Sequence, residues 1–163
     1  MQPLIDLANL RVRPDGRQSA TATEIATGVR RLLAGYGYAS VTEMTLRSGR
    51  RADILALGPD GCVWIVEIKS SVADFRADLK WPDYRAFCDR LFFAVPTGFP
   101  TDILPAETGL MLADAYGAAL VREAPEHKLA PARRRAVLLR FAHLAAGRLH
   151  GLVDPEGAAG WMD

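Results

Sequence analysis

Apolar positions along the chain fall into runs of two periods, and their order sets the first expectation of the fold. Ala22, Ile25, Ala26, Val29, Leu32 and Leu33 recur at helical spacing and line one face of a helix. Thr21 with Glu24 reads as a capping box at its head, and Gly35 as its stop. Three β-prone stretches follow, at Ser40–Leu46, Ala52–Leu57 and Cys62–Lys69. Arg47-Ser48-Gly49-Arg50 separates the first two, and the turn Gly58-Pro59-Asp60-Gly61 separates the second and third. The third stretch is apolar on both faces until its end, which predicts a central, buried strand.

Residues 71–89 carry a helical pattern interrupted at Trp81-Pro82, since proline breaks or restarts a helix. Arg90–Val95 is a short apolar run bounded by Pro96, and Gly109–Ala113 and Ala118–Arg122 read as two further strands around Tyr116-Gly117. Over Ala132–Leu149, Val137, Leu138, Phe141, Leu144 and Ala145 share a face while Arg133, Arg134, Arg135, Arg140 and Arg148 lie elsewhere, giving a basic amphipathic helix. The first twenty residues are a polar lead-in with a turn at Pro14-Asp15-Gly16. The order helix, three strands, helix, strand and appendix predicts a single α/β domain over 1–163. Its mixed central sheet is flanked by helices, with a core over about 21–123 and a helical extension over about 131–150.

Composition narrows the class. The chain has 163 residues, 50% hydrophobic and 24% charged, in the range of a soluble globular domain. No apolar run approaches the roughly 18 residues of a membrane span, and no signal pattern opens the chain. A soluble cytoplasmic protein without membrane contact is expected. Cys62 and Cys88 lack a CxxC neighbour, which excludes a disulfide framework or structural zinc and leaves them as small buried residues. His127, His143 and His150 form no ligand cluster, and Trp64, Trp81, Phe92 and Phe93 read as core aromatics. Net charge is only +1, yet residues 122–148 hold seven Arg or Lys against two acids, a local positive field for an anionic partner. Seventeen of the 20 basic residues are Arg, whose donor fork suits phosphate.

Candidate chemistry concentrates at Asp53 and at Glu67-Ile68-Lys69. In a hairpin centred on Asp60, residue 57 pairs with 63, 55 with 65 and 53 with 67. Asp53 and Glu67 then face each other, roughly 5 Å apart at Cβ, and Lys69 shares their face. A slip of one residue would move that face. Two carboxylates so close repel unless a cation lies between them, and hard oxygen ligands suit Mg²⁺ or Mn²⁺, which also bind phosphate. A lysine beside such an ion orients or deprotonates water, or neutralises charge developing on phosphorus. An ordinary polar strand end is the plain alternative. Charges on a doubly apolar strand are rarely without pairing or function, which favours the chemical reading.

Ala52-Asp53 followed by Glu67-Ile68-Lys69 resembles the PD-(D/E)XK nuclease superfamily, with Ala52 where that signature has proline. A longer string, Gly49-Arg50-Arg51-Ala52-Asp53, Val66-Glu67-Ile68-Lys69-Ser70-Ser71, Asp74 to Tyr84 and Cys88-Asp89-Arg90, is similar to the MmcB family of bacterial DNA repair proteins. The resemblance runs over about 21–123. It implies a restriction-endonuclease-like core and a metal-dependent deoxyribonuclease acting in DNA repair. Asp53, Glu67 and the Ile68 carbonyl would ligate the metal, and Lys69 would assist the water. Lys80 and Tyr84, four apart on the following helix, resemble the Gln-x-x-x-Tyr element of some relatives, and whether Lys80 meets DNA or the active site stays open.

Supporting roles are less constrained. Glu43 shares the Asp53 face if 43 pairs with 55, and a neighbouring register turns it away. Glu24 sits opposite the apolar stripe of its helix, where capping explains it. Arg47, Arg50 and Arg51 flank the site and suit a phosphate backbone or a solvated loop. Arg133, Arg134 and Arg135 offer the same choice. Asp74 and Asp78, one helical turn apart, are expected in surface pairs with Arg76 or Lys80. The rival reading is a DNA-binding or partner-recruiting repair module that keeps the fold without cutting, and action on RNA is a weaker third. DNA is the expected partner, and a repair role leaves room for a protein partner or a homo-oligomer.

Overall fold

The computed structural model describes residues 19–157, so the turn expected at Pro14-Asp15-Gly16 lies outside them. Six strands form one sheet: β1 (Ala39–Thr45), β2 (Arg51–Leu57), β3 (Val63–Ile68), β4 (Arg90–Val95), β5 (Gly109–Ala113) and β6 (Ala118–Arg122), in that spatial order. β1–β2–β3 and β5–β6 are antiparallel, while β3–β4–β5 run parallel. This mixed sheet, flanked by helices, is the α/β architecture that the pattern of runs predicts. Its element order is also the one implied by the nuclease resemblance.

Helix α1 (Ala20–Gly35) starts two residues earlier than the capping-box pattern predicts. Ser19 is the cap, its Oγ accepting from Ala22 N at 3.1 Å; serine caps at least as well as threonine, and Ala20 extends the helix readily. Glu24 therefore sits exposed in the helix body. The left-handed residue that turns the chain after α1 is Gly37 (φ 79°) rather than Gly35. Ile25, Val29 and Leu33 pack on one sheet face with Ile54, Val66, Phe92 and Met111. Gly28 permits that approach: a Cβ there would lie 2.2 Å from Asp114 O and 2.3 Å from Gly117 O in the β5–β6 turn.

The opposite face carries α2 (Val72–Ala77), a 3₁₀ helix at Trp81–Phe87 and the long α3 (Pro131–Val153). The helical pattern over 71–89 does break, but at Asp78–Lys80, just ahead of Trp81-Pro82, and Pro82 opens the 3₁₀ helix. Asp78 is extended (φ −129°, ψ 92°) and ends α2, while Pro82, whose fixed φ suits a first helical turn, lies in the opening turn of the 3₁₀ helix. Leu55, Ile65 and Leu91 meet Tyr84, Phe87, Val137 and Phe141 on this face. All six residues of β3 are buried, as its double apolar pattern predicts.

A buried carboxylate seats α3. Asp89, 2% exposed, accepts from Val63 N and Leu129 N at 2.8 Å each and from both terminal nitrogens of Arg134 at 2.7 Å each. Arg134 also donates to Gly61 O. Burial alone would raise the Asp89 carboxyl, but the Arg134 fork and the two backbone N–H groups bring it down to about 2. Arg134, a candidate for DNA from its place in the Arg run, is instead consumed in tying α3 to the sheet.

Candidate functional site

The β2–β3 ladder has the register of a hairpin centred on Asp60, with Leu57 opposite Val63 and Leu55 opposite Ile65, and ends at Ile54–Val66. One step beyond, side chains take over the stitching. Asp53 N donates to Glu67 Oε1 at 3.2 Å, and Ile68 N donates to Asp53 Oδ2 at 2.8 Å. The two acids singled out by spacing thus meet where the central strand ends. Glu67 and Lys69 are 3% and 4% exposed, and Lys69 Nζ pairs with Asp78 Oδ2 at 3.3 Å. Burial pushes the Asp53 carboxyl up to about 6, opposed by the Ile68 N–H and by Lys69. Burial and then the Asp53 charge push Glu67 well above the usual carboxylate range. Each acid thus makes the other harder to ionise.

Residues around this corner divide by what they touch. Tyr84 is buried, and its hydroxyl donates to Arg51 O at 2.9 Å, which steadies the start of β2 beside Asp53. Burial, together with the Glu67 and Asp53 charges, holds that phenol strongly protonated. Lys80 does not share a helical face with it: Lys80 is the exposed residue preceding a 3₁₀ helix, so the four-residue α spacing does not apply. Arg50 pairs with Asp83 at 3.1 Å and Arg51 with Glu43 at 3.5 Å.

Glu43 lies opposite Asp53 rather than Leu55, between the pairs Thr42–Ile54 and Met44–Ala52. Its φ of 53° is the one left-handed value at a non-glycine residue among those described. That twist lets Val41 and Met44, three residues apart, enter the same core, which strict strand alternation forbids. The Glu43 carboxylate engages Arg51, and the carboxylate pair is Asp53 and Glu67 without it.

The donor set suits a hard divalent ion. Among the described residues, Asp53 Oδ1 and Glu67 Oε2 accept no hydrogen bond, while their partner oxygens are held by backbone N–H groups. No group of three or more His, Cys, Asp or Glu residues is placed to hold a metal among those described. Two carboxylates are nonetheless the usual protein share of a magnesium site, where water and phosphate complete the shell.

The model of the MmcB-like DNA repair protein family matches residues 10–156 of this chain. The chain belongs to that family. A solved protein of unknown function from Silicibacter pomeroyi is similar to it, with 51% identity, TM-score 0.82, and 86% of this chain and 96% of that one covered. A repair endonuclease from Pyrococcus abyssi has a TM-score of 0.40 and 17% identity, over 64% of this chain and 50% of that one. No curated protein matches the chain. No helix among the described residues is long and apolar enough to cross a membrane.

Two acids of this MmcB-like protein depart from the surface pairing with Arg76 or Lys80 that their spacing predicts. Asp78 pairs with Lys69, whose charge holds its carboxyl below the usual range against the effect of burial. Asp74 accepts from Ser70 N and Ser70 Oγ at 3.0 and 3.3 Å while its own N–H donates to Ser71 Oγ. The Ser71-x-x-Asp74 spacing is a capping signal that would have marked the start of α2. Asp78 had no such mark, because the helix breaks just there.

Proposed function

We propose that this member of a DNA repair family hydrolyses DNA phosphodiesters with a divalent metal. The observation that carries the reading is the pairing of half-buried Asp53 with buried Glu67, both carboxyls raised, beside the buried Lys69. Asp53, Glu67 and the Ile68 carbonyl would hold Mg²⁺ or Mn²⁺, which supplies a Lewis acid for phosphate and makes water a better nucleophile. The Lys69 ammonium steadies the charge that builds on the phosphate oxygens. Asp78 sets where that ammonium rests. Arg50 and Arg51, whose charges reach the acids of this corner, hold the neighbouring backbone phosphates. Tyr84 keeps β2, and so Asp53, in place through the Arg51 carbonyl.

Purified protein is to be incubated with single-stranded, duplex, nicked, flapped and branched DNA, and with RNA, in Mg²⁺, Mn²⁺ or EDTA. Cleavage in metal, lost in EDTA and reduced by about 10²-fold or more in Asp53→Asn, Glu67→Gln and Lys69→Met, is the expected outcome. The engagement of Lys69 by Asp78 favours a second reading, a DNA-binding repair module that does not cut. DNA binding that ignores metal and all three substitutions, with no substrate cleaved, would give that reading the lead.

A further inference from the structure

On the face that carries α3, a cavity of about 530 Å³ opens between that helix and the end of β1. Met44, Leu46, Phe87 and Val137 give it an apolar floor. Arg47, Arg133, Arg140 and His143 stand along it, and among the described residues no acid lines it. A second depression of about 400 Å³ adjoins it, with Leu138, Arg134 and Arg135 in its wall and no acid among the described residues that line it. Leu139 belongs to both, and it is 56% exposed, an aliphatic ridge between two hollows. Ala132, Ala136, Leu139 and His143 follow one side of α3 for three turns, roughly 16 Å.

A phosphate backbone would use the arginines but leave the apolar floor without a role, since bases stack on exposed aromatic rings. Phe87, the aromatic ring in the floor, is buried and already covered by Arg133, whose guanidinium carbon lies 4.9 Å from the ring centroid. Exposed leucine among cations, with small alanines giving room, matches a chain that brings aliphatic side chains and carboxylates together. We propose that this groove docks a short acidic, amphipathic segment of a partner protein. Aliphatic side chains of the segment enter the hollows on either side of Leu139, and its carboxylates meet Arg140, Arg133 and Arg47. The inference stands apart from the metal site, because none of the metal-site residues lines the groove.

The test uses the full chain and fluorescence anisotropy. The probes are labelled peptides of about 14 residues with paired leucines at helical spacing and glutamates on the flanks, their lysine counterparts, and single-stranded and duplex DNA of matched length. Saturable binding of a glutamate peptide is expected, with none of the lysine peptides. Leu139→Asp and Arg140→Glu should each weaken it at least 10-fold. Leu149→Asp, at a leucine 54% exposed outside the groove, should leave it unchanged. Circular dichroism of the three variants checks that all are folded. Failure of every glutamate peptide to bind, or binding indifferent to Leu139 and Arg140, would overturn the proposal. DNA binding that falls with Leu139→Asp would overturn it too, by making the groove a nucleic-acid surface.

Discussion

Two buried acidic centres in this protein reach opposite electrostatic ends from the same starting material. At Asp89 four donors converge on one carboxylate, a guanidinium among them, and the group is held ionised down to about pH 2. At Asp53 and Glu67 two carboxylates share one corner with two backbone donors, and both are pushed upward. The first centre is saturated and belongs to the fold. The second is short of positive charge, and that shortfall is what a divalent ion would fill.

The sharpest way to break the comparison is to remove one acid from each centre. Asp89→Ala strands Arg134 and the N–H groups of Val63 and Leu129, and a loss of about 3–5 kcal/mol is expected in urea unfolding. Asp53→Asn relieves a repulsion, so its stability in EDTA should stay within about 1 kcal/mol of the parent or exceed it. Equal losses in the two variants would dissolve the distinction.

Metal response comes next in size. With free Mg²⁺ or Mn²⁺ at about a hundred times its Kd, the parent protein should gain about 2.7 kcal/mol. Glu67→Gln should gain nothing if Glu67 is, as proposed, one of the ion's two anionic ligands. Thermal unfolding with and without metal measures this. A shift that survives the substitution would move the ion elsewhere.

Stability against pH in EDTA separates the centres by sign. The raised carboxyls of Asp53 and Glu67 contribute fully below their unfolded values near 4, and that contribution is lost as pH rises through about 6 for Asp53 and through the raised titration of Glu67. Asp89, lowered to about 2, contributes above its unfolded value of 3.8, and that is lost as pH falls toward 2. Metal-free protein should thus be most stable near pH 4–5, with a decline toward pH 8 that Glu67→Gln flattens. A rise in stability from pH 5 to 8 would contradict the raised pair. The smallest effect is expected at the rim. Arg50→Ala should weaken DNA binding across sequences and lower the salt-dependence slope by about one.

Much of this was legible in the residues, for reasons that differ from place to place. The strands were visible because β3 is apolar on both faces and the Gly58–Gly61 turn sets its register against β2, so that Asp53 and Glu67 had to meet. The cap of α1 was misplaced because Ser19 and Thr21 are chemically near-equivalent and two residues apart. The placing of Lys80 and Tyr84 four apart on one helix does not hold, because Lys80 precedes a 3₁₀ helix and sequence preferences do not separate α from 3₁₀ periods. Asp89 stood in the sequence only as a member of the family string Cys88-Asp89-Arg90, with no role of its own. Its partners stand 26, 40 and 45 positions away, beyond any local pattern. Arg134 was hidden for the same reason, inside a run of three arginines that look alike in sequence.

Those separations bear on the order in which the molecule is made. On a ribosome the six-stranded sheet is complete once Arg122 has emerged, yet Asp89, at the head of β4, still lacks the charge that satisfies it until Arg134 follows. The emerging sheet is therefore a waiting state, poised around an unbalanced anion. The C-terminal helix acts as its latch, not as an appendix. A chain released before residue 134 should keep the strand pattern but not the closed core, so nascent chains stalled on either side of that point should differ abruptly in resistance to protease.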